Sequence, residues 1–439
     1  MAKDTIGFAL SAVNKFAGSS LVKKFKLQRP AEKIAYISTR TGFQVVSSTN
    51  AKVQQAKDFF KPSTVAKDQQ AAALFDPSLS EDQRLIKDTL DRFSSEVIRE
   101  YAHDADNHAS TPDELFQQAT ELGMLAYSVS EKFGGYTDTP STVNNLIIAE
   151  ALATGDMGIA TALLSTISVA NILTRWGTEE QQSSWLAPLT QSLDQSQPLF
   201  ATVAINEPFA LFNPNKLKTR VTPIDDGYQL NGQKSAVSIG ERADFFLVAA
   251  SSPNGDQNLY IVNSALKGIS TETSPGMGLK AAELCTITFE DVKLPADALL
   301  GDEHFCYQTF IDLSNLAHCA LAIGCGQAVQ DYVIQYCNQR IAFGEPVSHR
   351  QSVAFMIANI GIELEGMRLL TYRAASRAEQ GLPFHREAYL AKVLCADKAM
   401  EIGTNCVQLL GGHGFIKEHP VERWYRDMRS IAILYGLHA

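Results

Sequence analysis

From Ser80 onward the apolar residues recur with a helical period. In "SEDQRLIKDTLDRFSSEVI", Leu85, Ile86, Leu90, Phe93 and Val97 fall on one stripe behind a cap-like Ser80. "TPDELFQQATELGML" repeats the logic, with Thr111 as cap, Pro112 at the first helical position and Gly123 as stop. "TVNNLIIAEALATGDMGIATALLSTISVANILTRWG" predicts long apolar helices closed by Gly177. Residues 80–197 therefore read as all-α. At about residue 198 the pattern changes. "FATVAI", "GYQLNG", "FFLVAA", "NLYIVN" and "TITFEDV" are short β-branched or aromatic runs separated by Gly, Asn, Asp and Pro, which predicts strands and turns. From Asp302 the helical period returns over 302–340, 347–380 and 385–410. The order α, β, α predicts an α+β protein. Its domains are a helical one at 80–197, a β one at 198–301 and a helical one at 302–439, behind an extension and linker at 1–79.

Charge changes this picture at one end only. Residues 1–60 hold ten Lys/Arg against three Asp/Glu, a balance of +7. The remaining 28 Lys/Arg and 45 Asp/Glu give −17, for a total of −10. That balance argues against a nucleic-acid partner for the chain. The stretch "TIGFALSAVNKFAGSSLVKKFKL" is apolar with interspersed lysines. It fits a helix lying on a membrane surface, an organelle transit peptide, or a helix docked on its own protein or a partner subunit. It lacks the apolar core and small-residue cleavage site of a secretory signal. No uninterrupted apolar run reaches 18 residues. The seven cysteines include no C-x-x-C pair, which fits reduced thiols. The expected location is the cytoplasm, membrane-associated if the basic segment binds lipid, or mitochondria in a eukaryote.

Several motifs carry no chemistry. "GMGLKA" (276–281) has the letters of a dinucleotide fingerprint, but a strand-like run follows it where a helix is needed, so it reads as a turn. "GCGQAV" (324–329) falls inside a helical stretch. His413 and His419 flank a turn without a Cys or carboxylate at ligand spacing, so no metal site is expected. There is no G-x-S-x-G.

The informative signal is seven segments in fixed order: "EKFGGY" (131–136), "WGTEEQQSSWLAPL" (176–189), "INEP" (205–208), "YQLNGQK" (228–234), "FEDVKLPADALLG" (289–301), "QRIAFGEPVSHRQ" (339–351) and "QLLGGHGFIKEHPVERWYRD" (408–427). Across about residues 80–436 the chain resembles the acyl-CoA dehydrogenase family. The resemblance implies an N-terminal helical domain, a small central β-barrel and a C-terminal four-helix bundle. It implies FAD as cofactor, an acyl-CoA thioester as substrate, an electron-transferring flavoprotein as electron acceptor, and a homodimer or homotetramer. It places Ile205, Asn206 and Ser238 at the flavin. It places Arg340 and Phe343 at the FAD pyrophosphate and adenosine, Gln351 at the flavin, and Gln408, Gly411 and Gly412 at the adenosine side across a subunit interface. It places Asp312, Ser314, Asn315 and Gly436 at the substrate.

Three departures stand out. The family's small loop, G-A-G-S-D, reads "FALFN" (209–213) here. Its W-x-T reads Ala236 and Ser238. The base, a Glu that removes the substrate α-proton, falls on Tyr435, and the alternative position for that Glu falls on Ser314. Asp312 lies about 200° around the helix from Ser314 and does not replace it. A free Tyr, with a pKa of about 10, is phenolate about one time in a thousand at neutral pH, a shortage of about 4 kcal/mol. The resemblance still assigns the Tyr435 backbone N–H to the thioester oxygen. The chain ends four residues beyond Tyr435, without the helix that family members carry there. Three functions remain open: FAD-dependent α,β-dehydrogenation of an acyl-CoA, a catalytically impaired flavoprotein or CoA-thioester-binding protein, and a different flavin oxidation on this scaffold, such as oxidase or monooxygenase chemistry.

Overall fold

The computed structural model describes residues 75–137, 140–192 and 198–437. The basic segment of residues 1–60, with its membrane-surface reading, lies outside them.

Helix α1 (Glu81–Phe93) begins as its sequence predicts. The Ser80 hydroxyl accepts from the Gln83 N–H, and the Gln83 side chain accepts from the Ser80 N–H. A π-helical turn, Ser94–Ile98, joins it to α2 (Arg99–His108). After α3 (Asp113–Glu121) come the central pair, α4 (Thr142–Gly155) and α5 (Met157–Trp176), each capped by a side chain at its start, Ser141 and Asp156. Both are apolar nearly all round because both are buried nearly all round. By length and a mean hydropathy of 1.6, α5 resembles a membrane span, yet 89% of that stretch is buried inside the protein. It is a core helix. A short α6 (Ala187–Ser192) closes the helical region.

The β region contains the five strands expected from the sequence and two that the pattern hides. β1 (Ala201–Ala204), β3 (Gly227–Val237), β4 (Phe245–Ser251), β5 (Gln257–Asn263) and β7 (Cys285–Pro295) are the expected ones. β2 (Arg220–Ile224) contains Pro223, and β6 (Ile269–Thr273) is polar at four of its five positions, so neither announces itself. The strands form one seven-stranded sheet in the order β1-β4-β2-β3-β7-β6, with β5 on β4. The sheet wraps one core that includes Val221, Leu230, Phe246, Tyr260 and Phe289. Hydrogen bonding does not close the expected barrel among the described residues: β5 pairs with β4 and β6 with β7.

Three long helices follow: α7 (Tyr307–Gln339), α8 (Gln351–Glu379) and α9 (His385–Leu410), then the short α10 (Val421–Met428). "GCGQAV" lies inside α7, and there its first glycine has a packing role. A Cβ on Gly324 would sit 2.1 Å from the Glu150 carbonyl oxygen, so α7 and α4 approach closely only with glycine there.

Under α10 lies a buried ionic cluster. Arg423 pairs with Asp156, and Arg426 pairs with Asp106 and Glu422. Asp427 keeps the Leu279 N–H as its hydrogen-bond donor. Burial, and then the Asp156 charge, push its carboxyl up to about 7. Because the folded value is raised, the stability from this group is full below the unfolded carboxyl range, about pH 4, and is lost as pH rises through about 7. Thermal melts should fall from about pH 5 to about pH 8. Asp427→Asn, which keeps the acceptor for Leu279, should flatten that slope; equal slopes in the two proteins would count against this account.

Candidate flavin and thioester site

The segment after α10 is held by a single side chain of the β region. Asn206 Nδ2 donates to the Ile433 carbonyl at 2.7 Å, and Asn206 Oδ1 accepts from the Tyr435 N–H at 3.0 Å. Both ends of the amide are therefore engaged by one stretch of backbone. Next to it, the Gly436 N–H donates to Ser314 Oγ at 3.2 Å. The structure thus brings Asn206, Ser314, Tyr435 and Gly436 together and engages their polar groups with one another. The Tyr435 N–H, expected to face a thioester oxygen, points at Asn206.

What fixes Asn206 is its neighbour. Glu207 accepts from the Lys218 and Thr219 N–H groups, at 2.8 Å each, and from Lys234 Nζ at 3.0 Å. Lys234 also donates to the Ile205 carbonyl at 3.0 Å. Both side chains of the Lys234–Glu207 pair are buried. Burial raises the Glu207 pKa, but Lys234 and the two N–H donors outweigh it and hold the carboxyl below its ordinary range. Burial lowers Lys234 to about 8 against the pull of Glu207, so the ammonium remains charged at neutral pH. Glu207 of "INEP" is a structural hub, a role the motif does not reveal.

The Tyr435 ring sits between two side chains. Phe212, from the "FALFN" loop, meets it edge-on with centroids 6.0 Å apart. On another side lies the Lys392 ammonium, 5.0 Å from the ring centroid. Lys392 is buried on α9, donates to the Leu434 carbonyl at 3.0 Å, and is lowered by burial to about 8. Burial and the Lys392 charge push His318 down to about 3, so that imidazole is neutral. Burial pushes the Tyr435 phenol up from its ordinary value. At neutral pH it is a hydrogen-bond donor and a poor proton acceptor.

Asp312 faces a different group from Ser314, as the helical angle requires. Its carboxylate accepts from Gln308 Nε2 at 3.0 Å and meets His385 Nδ1 at 2.9 Å. Burial raises its pKa, with His385 opposing. Gln308 Oε1 reaches back to Asn215 at 3.4 Å, just beyond the bulky loop. Asn315 is buried with Oδ1 unpartnered. In the loop itself, Leu211 is 99% exposed at φ +58°, a left-handed conformation that a bulky non-glycine side chain rarely adopts. Phe209 packs beneath Lys218 Nζ, 3.6 Å from its centroid.

The remaining candidates divide by position. Ser238 is buried, and its hydroxyl donates to the Ala282 carbonyl. Together with Asn206 and Ile205, whose carbonyl accepts Lys234, it is held by internal contacts. Arg340, Phe343, Gln351, Gln408, Gly411 and Gly412 are exposed. Among the described residues, the Arg340 guanidinium meets no carboxylate. Phe343 is 96% exposed, with Arg350 5.7 Å from its ring. Gly411, at φ +59° and ψ −129°, adopts a backbone that glycine alone accepts readily, and a Cβ there or on Gly412 would meet nothing within 4 Å. An unpaired guanidinium, an open aromatic face and bare backbone fit the pyrophosphate and adenine of a dinucleotide. His413 and His419 stack 5.1 Å apart, and each Nδ1 meets a tyrosine hydroxyl, Tyr336 and Tyr332. No metal-binding cluster occurs among the described residues.

The sequence matches three consecutive family models that together span this architecture: the acyl-CoA dehydrogenase N-terminal domain over residues 80–192, middle domain over 202–292 and C-terminal domain over 306–438. The chain belongs to the acyl-CoA dehydrogenase family. Members of this family are FAD-dependent oxidoreductases. The short-chain-specific acyl-CoA dehydrogenase of Megasphaera elsdenii is 32% identical over 334 residues, covering 74% of this chain and 86% of the relative. Among solved structures, butyryl-CoA dehydrogenase from Megasphaera elsdenii superposes with a TM-score of 0.74 at 29% identity, covering 82% of this chain and 95% of that one. A chain from a structure of the electron transferring flavoprotein of Acidaminococcus fermentans also reaches 0.74, at 26% identity and the same coverage.

Proposed function

We propose that the protein binds FAD and a short-chain acyl-CoA thioester, oxidises the thioester between its α and β carbons, and passes the electrons to an electron-transferring flavoprotein. The observation that carries this reading is the open surface of Arg340, Phe343, Gln408, Gly411 and Gly412, set on a chain that carries all three family domains in order. Arg340 would hold the cofactor's phosphates, and the Gly411–Gly412 backbone would allow close approach. When bound, FAD supplies the hydride acceptor. The likeness to the Acidaminococcus chain supports the electron acceptor. Apolar residues exposed on α8 and α9, among them Phe355, Ile362, Tyr389 and Val393, support a second copy of the chain as partner.

The step this chain performs least well is removal of the α-proton. Tyr435 holds its proton, and Ser314 accepts from Gly436. That geometry favours a second reading, thioester binding without oxidation.

Anaerobic titration of the FAD-loaded protein with butyryl-CoA separates the two. Slow bleaching of the flavin absorbance supports oxidation. Thioester binding without bleaching supports the second reading, and absence of both binding and bleaching rejects the function proposed.

A further inference from the structure

One peptide unit of the Tyr435 segment is held at both ends. The Leu434 carbonyl accepts from Lys392 Nζ at 3.0 Å. Across the same peptide bond, the Tyr435 N–H donates to Asn206 Oδ1 at 3.0 Å. The neighbouring donors go elsewhere. The Ile433 and Leu434 N–H groups turn back to the Ser430 carbonyl, at 3.0 and 3.1 Å, and the Gly436 N–H meets the Ser314 hydroxyl. Of these four, only the Tyr435 N–H meets the carbonyl oxygen of a side chain.

Lys392 is 8% exposed. Facing it are the thiols of Cys319 and Cys395, the neutral imidazole of His318 and the ring of Tyr435. Among the described residues no carboxylate pairs with it. A buried ammonium without a counter-charge is costly, and its field reaches its neighbours with little screening by solvent. What it meets at hydrogen-bond distance is the Leu434 carbonyl.

A peptide group passes such a field on. Its C–N bond has partial double-bond character, so a cation at the oxygen draws density from the nitrogen and makes the N–H a stronger donor. In a chain of hydrogen bonds each strengthens the next by about 10–30%. Lys392 ammonium, Leu434 C=O, Tyr435 N–H and Asn206 Oδ1 form such a chain, headed by a full charge. The acceptor at its end is a carbonyl oxygen on a rotatable side chain. A thioester carbonyl offers the same kind of acceptor.

We infer that Lys392 is a positioning residue for the thioester: through the Leu434–Tyr435 peptide it strengthens the Tyr435 N–H as donor to the thioester carbonyl oxygen, which takes the place of Asn206 Oδ1. That oxygen is where negative charge gathers as the α-proton leaves, so a stronger donor there favours the reaction. This rests on the acyl-CoA reading above and deepens it.

The test is the carbonyl stretch of butyryl-CoA labelled with carbon-13 at the thioester carbonyl, read by infrared difference spectroscopy on the FAD-loaded full chain. A stronger donor lowers that frequency further. At neutral pH the downshift on binding should be largest in the unmodified protein, smaller in Lys392→Gln, which keeps a donor without the charge, and smallest in Lys392→Met. The loss should be about 10–30% of the downshift. In the unmodified protein the downshift should also shrink as pH rises through about 8, where the buried ammonium loses its proton. Tyr435 keeps its proton there, because burial raises its phenol. Equal downshifts in the unmodified protein and Lys392→Gln overturn the inference, because a merely structural lysine would be replaced by a neutral donor. A pH step that persists in Lys392→Gln also overturns it and belongs to the Cys319 and Cys395 thiols. Should neither variant fold, the unmodified protein decides alone, since a downshift constant from about pH 6 to about pH 9 overturns the inference. Absence of any bound carbonyl band overturns the acyl-CoA reading together with it.

Discussion

Tyr435→Glu should raise the rate of flavin reduction by butyryl-CoA about 10²–10⁴-fold, the range that a positioned general base contributes. The argument starts from what surrounds the ring. Phe212 and the Lys392 ammonium flank it, and burial raises its phenol pKa. In the unmodified protein the side chain therefore arrives protonated at the step that needs a base. A carboxylate at the same position would lie near a buried ammonium, which favours its ionised form. The backbone of residues 433–435 is fixed by Asn206 and Lys392 through main-chain atoms, so the substitution leaves that anchoring intact. Tyr435→Phe is the control: it removes the hydroxyl alone and should leave the slow rate unchanged. Anaerobic stopped-flow absorbance reads both. A Tyr435→Glu protein that reduces flavin no faster would show that the missing carboxylate is not what limits the reaction.

Lys234→Met should destabilise the protein by about 3–5 kcal/mol, the range for removing one partner of a buried ion pair. Lys234 and Glu207 are both buried, and the ammonium reaches the Ile205 carbonyl as well as the carboxylate. Methionine matches the stem of lysine and leaves Glu207 with its two backbone donors but no counter-charge. Most of the loss is the penalty of a stranded carboxylate, so adding Glu207→Gln should recover part of it. Denaturant unfolding of the single and double variants measures both terms. A single variant as stable as the parent would mean that the pair contributes nothing net.

These two sites also show how far the sequence can be read. The helices and the strong strands were legible because their apolar spacing is regular: the expected 385–410 is α9, His385–Leu410. Tyr435 was legible because its motif is fixed relative to Arg426. Lys392 and Lys234 were not. A lysine in "EAYLAKVL" or at the end of "YQLNGQK" reads as a solvated side chain, since burial depends on what packs over it from distant segments. Asn206 was expected to meet a cofactor. Its amide instead clamps a backbone segment far away in sequence, a contact that no local pattern encodes. The β2 and β6 strands escaped because a proline and a polar run mask their pairing.

The Asn206 clamp has a consequence for how the chain assembles. It joins positions 227 and 229 residues apart, one at the start of the β region and the other beyond α10. Contacts that close so long a loop carry a large chain-entropy penalty and come after local helices and hairpins have formed. The reactive segment around Tyr435 is thus among the last parts of the chain to be locked and, by the same token, among the first that unfolding releases.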